Sequence, residues 1–163
     1  MARWRHVKQG KVQPSSNKPE APKVRYASIS DRLKAFLTDT FMITTPIIYI
    51  VIYFVMGSRE EFRAHMGEGW LFIIVPHAII ITLLWWLKGQ TPGMKLYEME
   101  VRKWSDPAKR INLLQALIRY LAMPISIFSI LGLLIALFRD DRATFHDLIS
   151  FSRIVKVENF HTR

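Results

Sequence analysis

Arg32 and Asp39 stand seven residues apart at the entrance to an apolar stretch, and from Thr40 to Met56 no residue carries a formal charge. On a helix the two share a face, with their backbones about 10.5 Å apart along the axis. An ionisable side chain at membrane depth is costly unless it has a partner or a task. The separation strains a direct ion pair, so each residue is expected to find its partner on another segment. Arg119 is the only other formal charge inside an apolar block. It has two readings. A buried Arg119–Asp39 pair would admit both charges to a helix bundle. Alternatively, Arg119 snorkels to the surface from an interfacial helix.

A second polar cluster is Arg142-Ala-Thr-Phe-His146-Asp147. An aspartate beside a histidine at a membrane edge could relay protons. The competing reading is structural, with His146 or Asp147 capping a helix or pairing with Arg32 or Arg142. The adjacent His and Asp make a weak metal site, because no third and fourth ligand stands at helical or strand spacing. His77 follows Pro76 within the second apolar block, and there it reads as a hydrogen-bonded packing residue. Pro76 frees the carbonyl of Phe72, a device found where helices line a polar cavity. No GxSxG, HExxH or Walker loop occurs, and there is no cysteine. No catalytic residue, metal or cofactor is therefore expected, and the chain does not read as an enzyme.

These residues must be held by helices. Half of the 163 residues are hydrophobic, yet the net charge is +10. Apolar and basic blocks alternate along the chain. Gly69–Leu87 contains only His77 as a titratable group, and Ile111–Phe138 contains only Arg119 as a formal charge. Blocks of about 20 apolar residues suit a hydrocarbon core about 30 Å thick. The fold class is an α-helical integral membrane protein, with three to four apolar helical segments in a small bundle and a short cytoplasmic β element. Helices are expected at about 31–56, 69–87 and 111–138. The last block is too long for one perpendicular crossing and is divided at Pro124, with Ser126, Ser129 and Gly132 beyond it. A kinked span, an interfacial helix followed by a short span, and a helical hairpin all stay open.

Charge sets the orientation. Residues 1–34 hold nine Lys/Arg against two acids, 57–68 hold two against three, 88–110 hold six against three, and 139–163 hold five against four. The positive-inside rule puts the N-terminus and the 88–110 loop in the cytoplasm. Residues 1–25 read as a basic disordered arm lying on anionic lipid, with no signal for nucleic acid beyond its charge. The lipid bilayer is the main partner, and a homo-oligomer is a further expectation. Residues 158–163 read as a tail.

Gly89-Gln90-Thr91-Pro92-Gly93 follows the second block, and Thr91-Pro92-Gly93-Met94 has the residues of a type II turn. Alternation from Lys95 to Lys103 predicts a strand, and Phe151–Val157 predicts another. Each would leave backbone groups unpaired alone, so the two are expected to pair on one side of the membrane.

Taken in order, these motifs resemble the RDD family of bacterial membrane proteins. The resemblance covers residues 26–157. It rests on Arg32-x-x-Ala35-x-x-x-Asp39, the Gly89–Gly93 turn with its strand, Arg119 in an apolar segment, and Arg142-x-Thr144-x-His146-Asp147. It implies that Arg32, Asp39 and Asp147 are the residues for which the family is named, and that the adjacent string Arg139-Asp140-Asp141 is a coincidence. Met94 stands where relatives often have a basic residue, and Phe151-Ser-Arg departs from the small residue and Gly-Thr usual before the last strand. The resemblance implies a bacterial inner-membrane protein. Transport of undefined ligands is suggested for the family, and cation/proton exchange for some members. A non-transporting scaffold, with the Arg/Asp set as a clasp, is the rival reading.

Overall fold

The computed structural model describes residues 25–128 and 143–156. The basic arm and tail, Arg142, and the end of the third apolar block lie outside them, and with that block lies the choice between span and hairpin. Helix α1 runs Ile29–Val55, 27 residues. Ser28 caps it, accepting a hydrogen bond from the Asp31 amide at 3.0 Å. The helix contains a π turn at Thr40–Thr44, where the Thr45 N–H reaches back to the Thr40 carbonyl. Pro46 accounts for this turn: it has no N–H to offer the carbonyl one turn earlier, so the ladder widens by a residue. The Thr45 hydroxyl also donates to the Thr40 carbonyl at 3.0 Å. A second π turn, Val51–Val55, closes the helix.

Ser58 then caps a short helix, α2 (Arg59–Ala64). Helix α3 (Met66–Lys88) follows, with Pro76 inside it. It ends at Gly89, whose φ of 73° lies in the left-handed region that favours glycine, and whose N–H donates to the Trp85 carbonyl. α1 and α3 are the two described helices long and apolar enough to cross a membrane.

The expected type II turn is instead the start of a helix. Thr91 is extended and its hydroxyl accepts from the Met94 amide, while Pro92 opens α4 (Pro92–Leu96). Proline suits the first position of a helix as well as the second position of a turn, and a threonine cap decides between them. The strand consequently begins later than its periodicity suggested. Strand β1 is Met99–Lys103, and Glu98, at φ 54°, makes the corner before it. Helix α5 (Leu113–Phe128), α6 (Phe145–Ile149) and β2 (Ser152–Lys156) complete the described elements.

β1 and β2 pair antiparallel, Met99 opposite Lys156 and Lys103 opposite Ser152. Single bridges extend this ribbon on both sides, Tyr26 to Val155 and Arg102 to Arg110. One face carries Met99 and Val101, both fully buried. The core gathers at this end of the molecule, where Ala35, Ile81, Trp85, Met94, Ala116 and Ile154 pack on that face. Met94 is thus a core residue, which explains an apolar side chain there. Elsewhere α1 and α3 present large apolar side chains outward, Phe41 at 72% exposure and Phe54 at 78%. Such faces suit hydrocarbon, not water.

Candidate functional site

The most buried charge belongs to Asp147, in the first turn of α6. Thr144 caps that helix in a reciprocal capping box. Asp147 Oδ2 accepts from the Thr144 amide at 3.1 Å and from its hydroxyl at 2.9 Å. The same oxygen accepts from Arg32 Nη1 at 2.6 Å, which ties α6 to the start of α1. Arg119 Nη1, from α5, lies 2.6 Å from Oδ1. That approach is an ion pair by distance, with an angle outside hydrogen-bond geometry, and among the described residues no aligned donor reaches Oδ1. Arg119 Nη1 instead donates to Ser152 Oγ at 2.5 Å, and Ser152 Oγ is 2.7 Å from Ser150 Oγ. The Arg119 guanidinium lies over the Trp85 ring at 5.3 Å.

Asp147 is 0% and Arg119 1% exposed. Burial alone would raise the Asp147 pKa. Arg119 and then Arg32 outweigh it and hold the carboxyl below the usual carboxylate range. His146 goes the other way from an ordinary histidine: burial, then the Arg119 charge, push it down to about 4. Both effects favour the neutral ring at pH 7. Its Nε2 stands 3.7 Å from Asp147 Oδ1.

Asp39 lies apart from this network. Its Oδ2 accepts from the Thr91 hydroxyl at 2.5 Å and its Oδ1 from the Gly93 amide at 2.7 Å. The carboxylate thus caps the start of α4 and docks that helix on α1. Gly93 is required by the close approach, since a Cβ there would lie 2.9 Å from the Asp39 carboxyl and press on the Ala35 carbonyl.

Two expectations for Arg119 are corrected. It does not pair with Asp39, and it does not snorkel. Asp39 is carried about 10.5 Å along α1 beyond Arg32, where the α4 backbone reaches it first. Arg119 is held inside by Asp147, Ser152 and Trp85. Arg32 and Asp39, on one helix face, indeed take separate partners.

His77 makes a third polar group. Its Nδ1 is 2.8 Å from the Tyr120 hydroxyl and its Nε2 is 3.2 Å from the Thr44 hydroxyl. Residues 89–93 divide their work. Gly89 ends α3, while Thr91, Pro92 and Gly93 start α4; Gln90 is a partly buried link between them. Sequence reasoning missed Ser150, Ser152, Trp85, Thr44 and Tyr120. The only signal for the two serines was their place, Ser150 just before and Ser152 within the expected strand Phe151–Val157, polar at positions that turn out buried.

The sequence model of the RDD family matches residues 26–150. The chain belongs to the RDD family. This is a family of membrane proteins, and the two long apolar helices accord with it. The match ends at Ser150, so it includes β1, Arg32, Arg119 and Asp147 and stops short of Ser152 and the rest of β2. No curated protein and no solved structure matches the chain.

Proposed function

We propose that this RDD-family protein is a multi-pass membrane scaffold or accessory subunit, in which Arg32, Arg119, Asp39 and Asp147 form structural clasps. One observation carries this reading. Each oxygen of the two carboxylates is already taken up by a donor or cation of the chain itself. A solute or ion passing these groups would have to displace interactions that hold α1, α4, α5 and α6 together. The setting we infer is the bacterial inner membrane, with the N-terminus and the β ribbon in the cytoplasm. The basic loop that contains β1 supports that side. Because β2 pairs with β1, the segment around Ser152 shares whichever side β1 occupies.

Purified protein in liposomes tests the reading. Asp39→Asn should lower the thermal midpoint and the abundance, while cation flux through the unaltered protein stays at the level of empty liposomes. Flux that is lost in Asp39→Asn at an unchanged midpoint would overturn it. That outcome would favour the second reading, transport of ions or small solutes, with cation/proton exchange as its form by family analogy. One observation favours transport: among the described residues no Lys or Arg pairs with Asp39, although it lies in an apolar helix. In that reading Asp39 binds the cation or proton, and a homo-oligomer could bring two such centres together.

A further inference from the structure

His77 stands at the middle of α3, eleven residues from Met66 and eleven from Lys88. Either end is about 16 Å away along the axis. An ionisable group at mid-membrane is expensive to keep, and its neighbours show what state it can take. Both ring nitrogens face hydroxyls, Tyr120 of α5 at 2.8 Å and Thr44 of α1 at 3.2 Å. A hydroxyl is both donor and acceptor. The neutral ring therefore fits in either tautomer, donating at one nitrogen and accepting at the other. The doubly protonated ring fits as well, donating at both, with only the two O–H bonds turning. No heavy atom has to move when a proton is gained or lost.

The charged surroundings favour the same use. Along Gly69–Leu87 of α3 no other residue is titratable. From α5 the facing titratable group is Tyr120, and from α1 it is Asp39; burial between the helices works against a charge on the His77 ring, and the negative charge of Asp39 offsets part of that cost. At His146 the larger electrostatic effect is instead that of the Arg119 cation, although Asp147 lies beside the ring.

We propose that His77 is a proton-exchange site at the centre of the membrane part, with Thr44 and Tyr120 as its hydrogen-bonding partners and Asp39 as its counter-charge. Uptake forms an N–H bond at the accepting nitrogen and gives the ring one positive charge. Release of the proton from the other nitrogen restores the neutral ring as the opposite tautomer. The proton comes from water and returns to it, and no other reactant is needed. The site is separate from the Asp147 clasp and does not depend on whether the protein is a scaffold.

The test is nitrogen NMR on histidine-labelled full-length protein in lipid nanodiscs, titrated from pH 4.5 to 8, with the His77 signals assigned by their loss in His77→Gln. The expected result is reversible conversion of His77 from neutral to doubly protonated within that range. Tyr120→Phe should also shift its tautomer ratio, since Nδ1 loses its partner. A single neutral tautomer across the range overturns the proposal, and an unaltered ratio in Tyr120→Phe overturns the assigned partner. If His77→Gln does not fold, the shift caused by Thr44→Val identifies the same signals.

Discussion

Two carboxylates of this chain solve the same problem in different ways. Asp147 is sealed from solvent and held by two arginines, with Thr144 completing its shell. Asp39 has no paired cation among the described residues and is held by one hydroxyl and one backbone amide. The first solution neutralises charge with charge and joins segments far apart in sequence, Arg32 to Asp147 across 115 residues. The second neutralises charge with dipoles and docks one short helix. A charge sealed against cations stays ionised and immobile. A charge held by dipoles keeps its field available to a neighbour, and His77 is that neighbour.

The largest expected effect lies in the first region. Asp147→Asn removes the counter-charge of Arg119 and of the largely buried Arg32. Breaking a buried pair from one side costs about 3–5 kcal/mol, because the remaining charge is left uncompensated. The variant should accumulate poorly and show a steeply lowered thermal midpoint in detergent. Double-mutant cycles should find strong coupling between Arg119 and Asp147 and none between Arg119 and Asp39. Coupling of Arg119 to Asp39 would erase the distinction between the two regions.

The next effect is a pH dependence that His146 should give the clasp. His146 has an ordinary value of 6.5 and is held at about 4 in the fold. Its folded value is depressed, so the unfolded chain binds the extra proton first. Stability is full above pH 6.5 and falls as the pH drops from 6.5 towards 4. The loss should reach roughly 3 kcal/mol, at 1.36 kcal/mol per unit. Asp147, also depressed, adds its own loss only below its ordinary 3.8. His146→Gln should remove the His146 share of the fall between pH 6.5 and 4 and leave the more acidic fall in place. A thermal-melt series across pH reads both.

Much of this was legible in the sequence, for reasons that particular residues make plain. The spans were visible because charge-free runs such as Gly69–Leu87 are long and apolar enough to cross a membrane. The pairing of the two strands followed from unsatisfied backbone and placed β1 against β2. The partner of Arg119 was not legible. Composition says that a buried arginine needs an acid, and both Asp39 and Asp147 qualify. Only the folded path of α5 against α6 chooses between them. The Thr91–Gly93 segment was misread for a similar reason: its residues satisfy a turn and a helix start alike, and the Asp39 carboxylate that favours the helix lies 52 residues away. The triad of Thr44, His77 and Tyr120 left no motif at all, because its members come from three helices.

Gly93→Ala probes the second region. The added Cβ would crowd the Asp39 carboxyl and the Ala35 carbonyl, so α4 must lift from α1. The cost should be about 1–3 kcal/mol, the usual range for overpacking. The His146-dependent pH profile should survive, since the clasp is untouched. A profile altered by Gly93→Ala would mean that the two regions act as one.

The smallest effect tests whether the clasp end carries backbone strain. Phe151 adopts a φ of 47°, in the left-handed region, immediately before β2, and the residue is 70% exposed. An L-residue pays about 1–2 kcal/mol there, and glycine does not. Glycine in turn loses about 0.5–1 kcal/mol through its freer unfolded chain. Phe151→Gly alone therefore mixes two terms of similar size and opposite sign with the loss of the ring. Phe151→Ala separates them, because it removes the ring and keeps the strain. The glycine variant should melt above the alanine variant, by the equivalent of up to about 1 kcal/mol. The reverse order would mean that the corner relaxes when the ring is removed. The strain would then belong to the phenylalanine itself and not to the path that carries the chain from Asp147 into the ribbon.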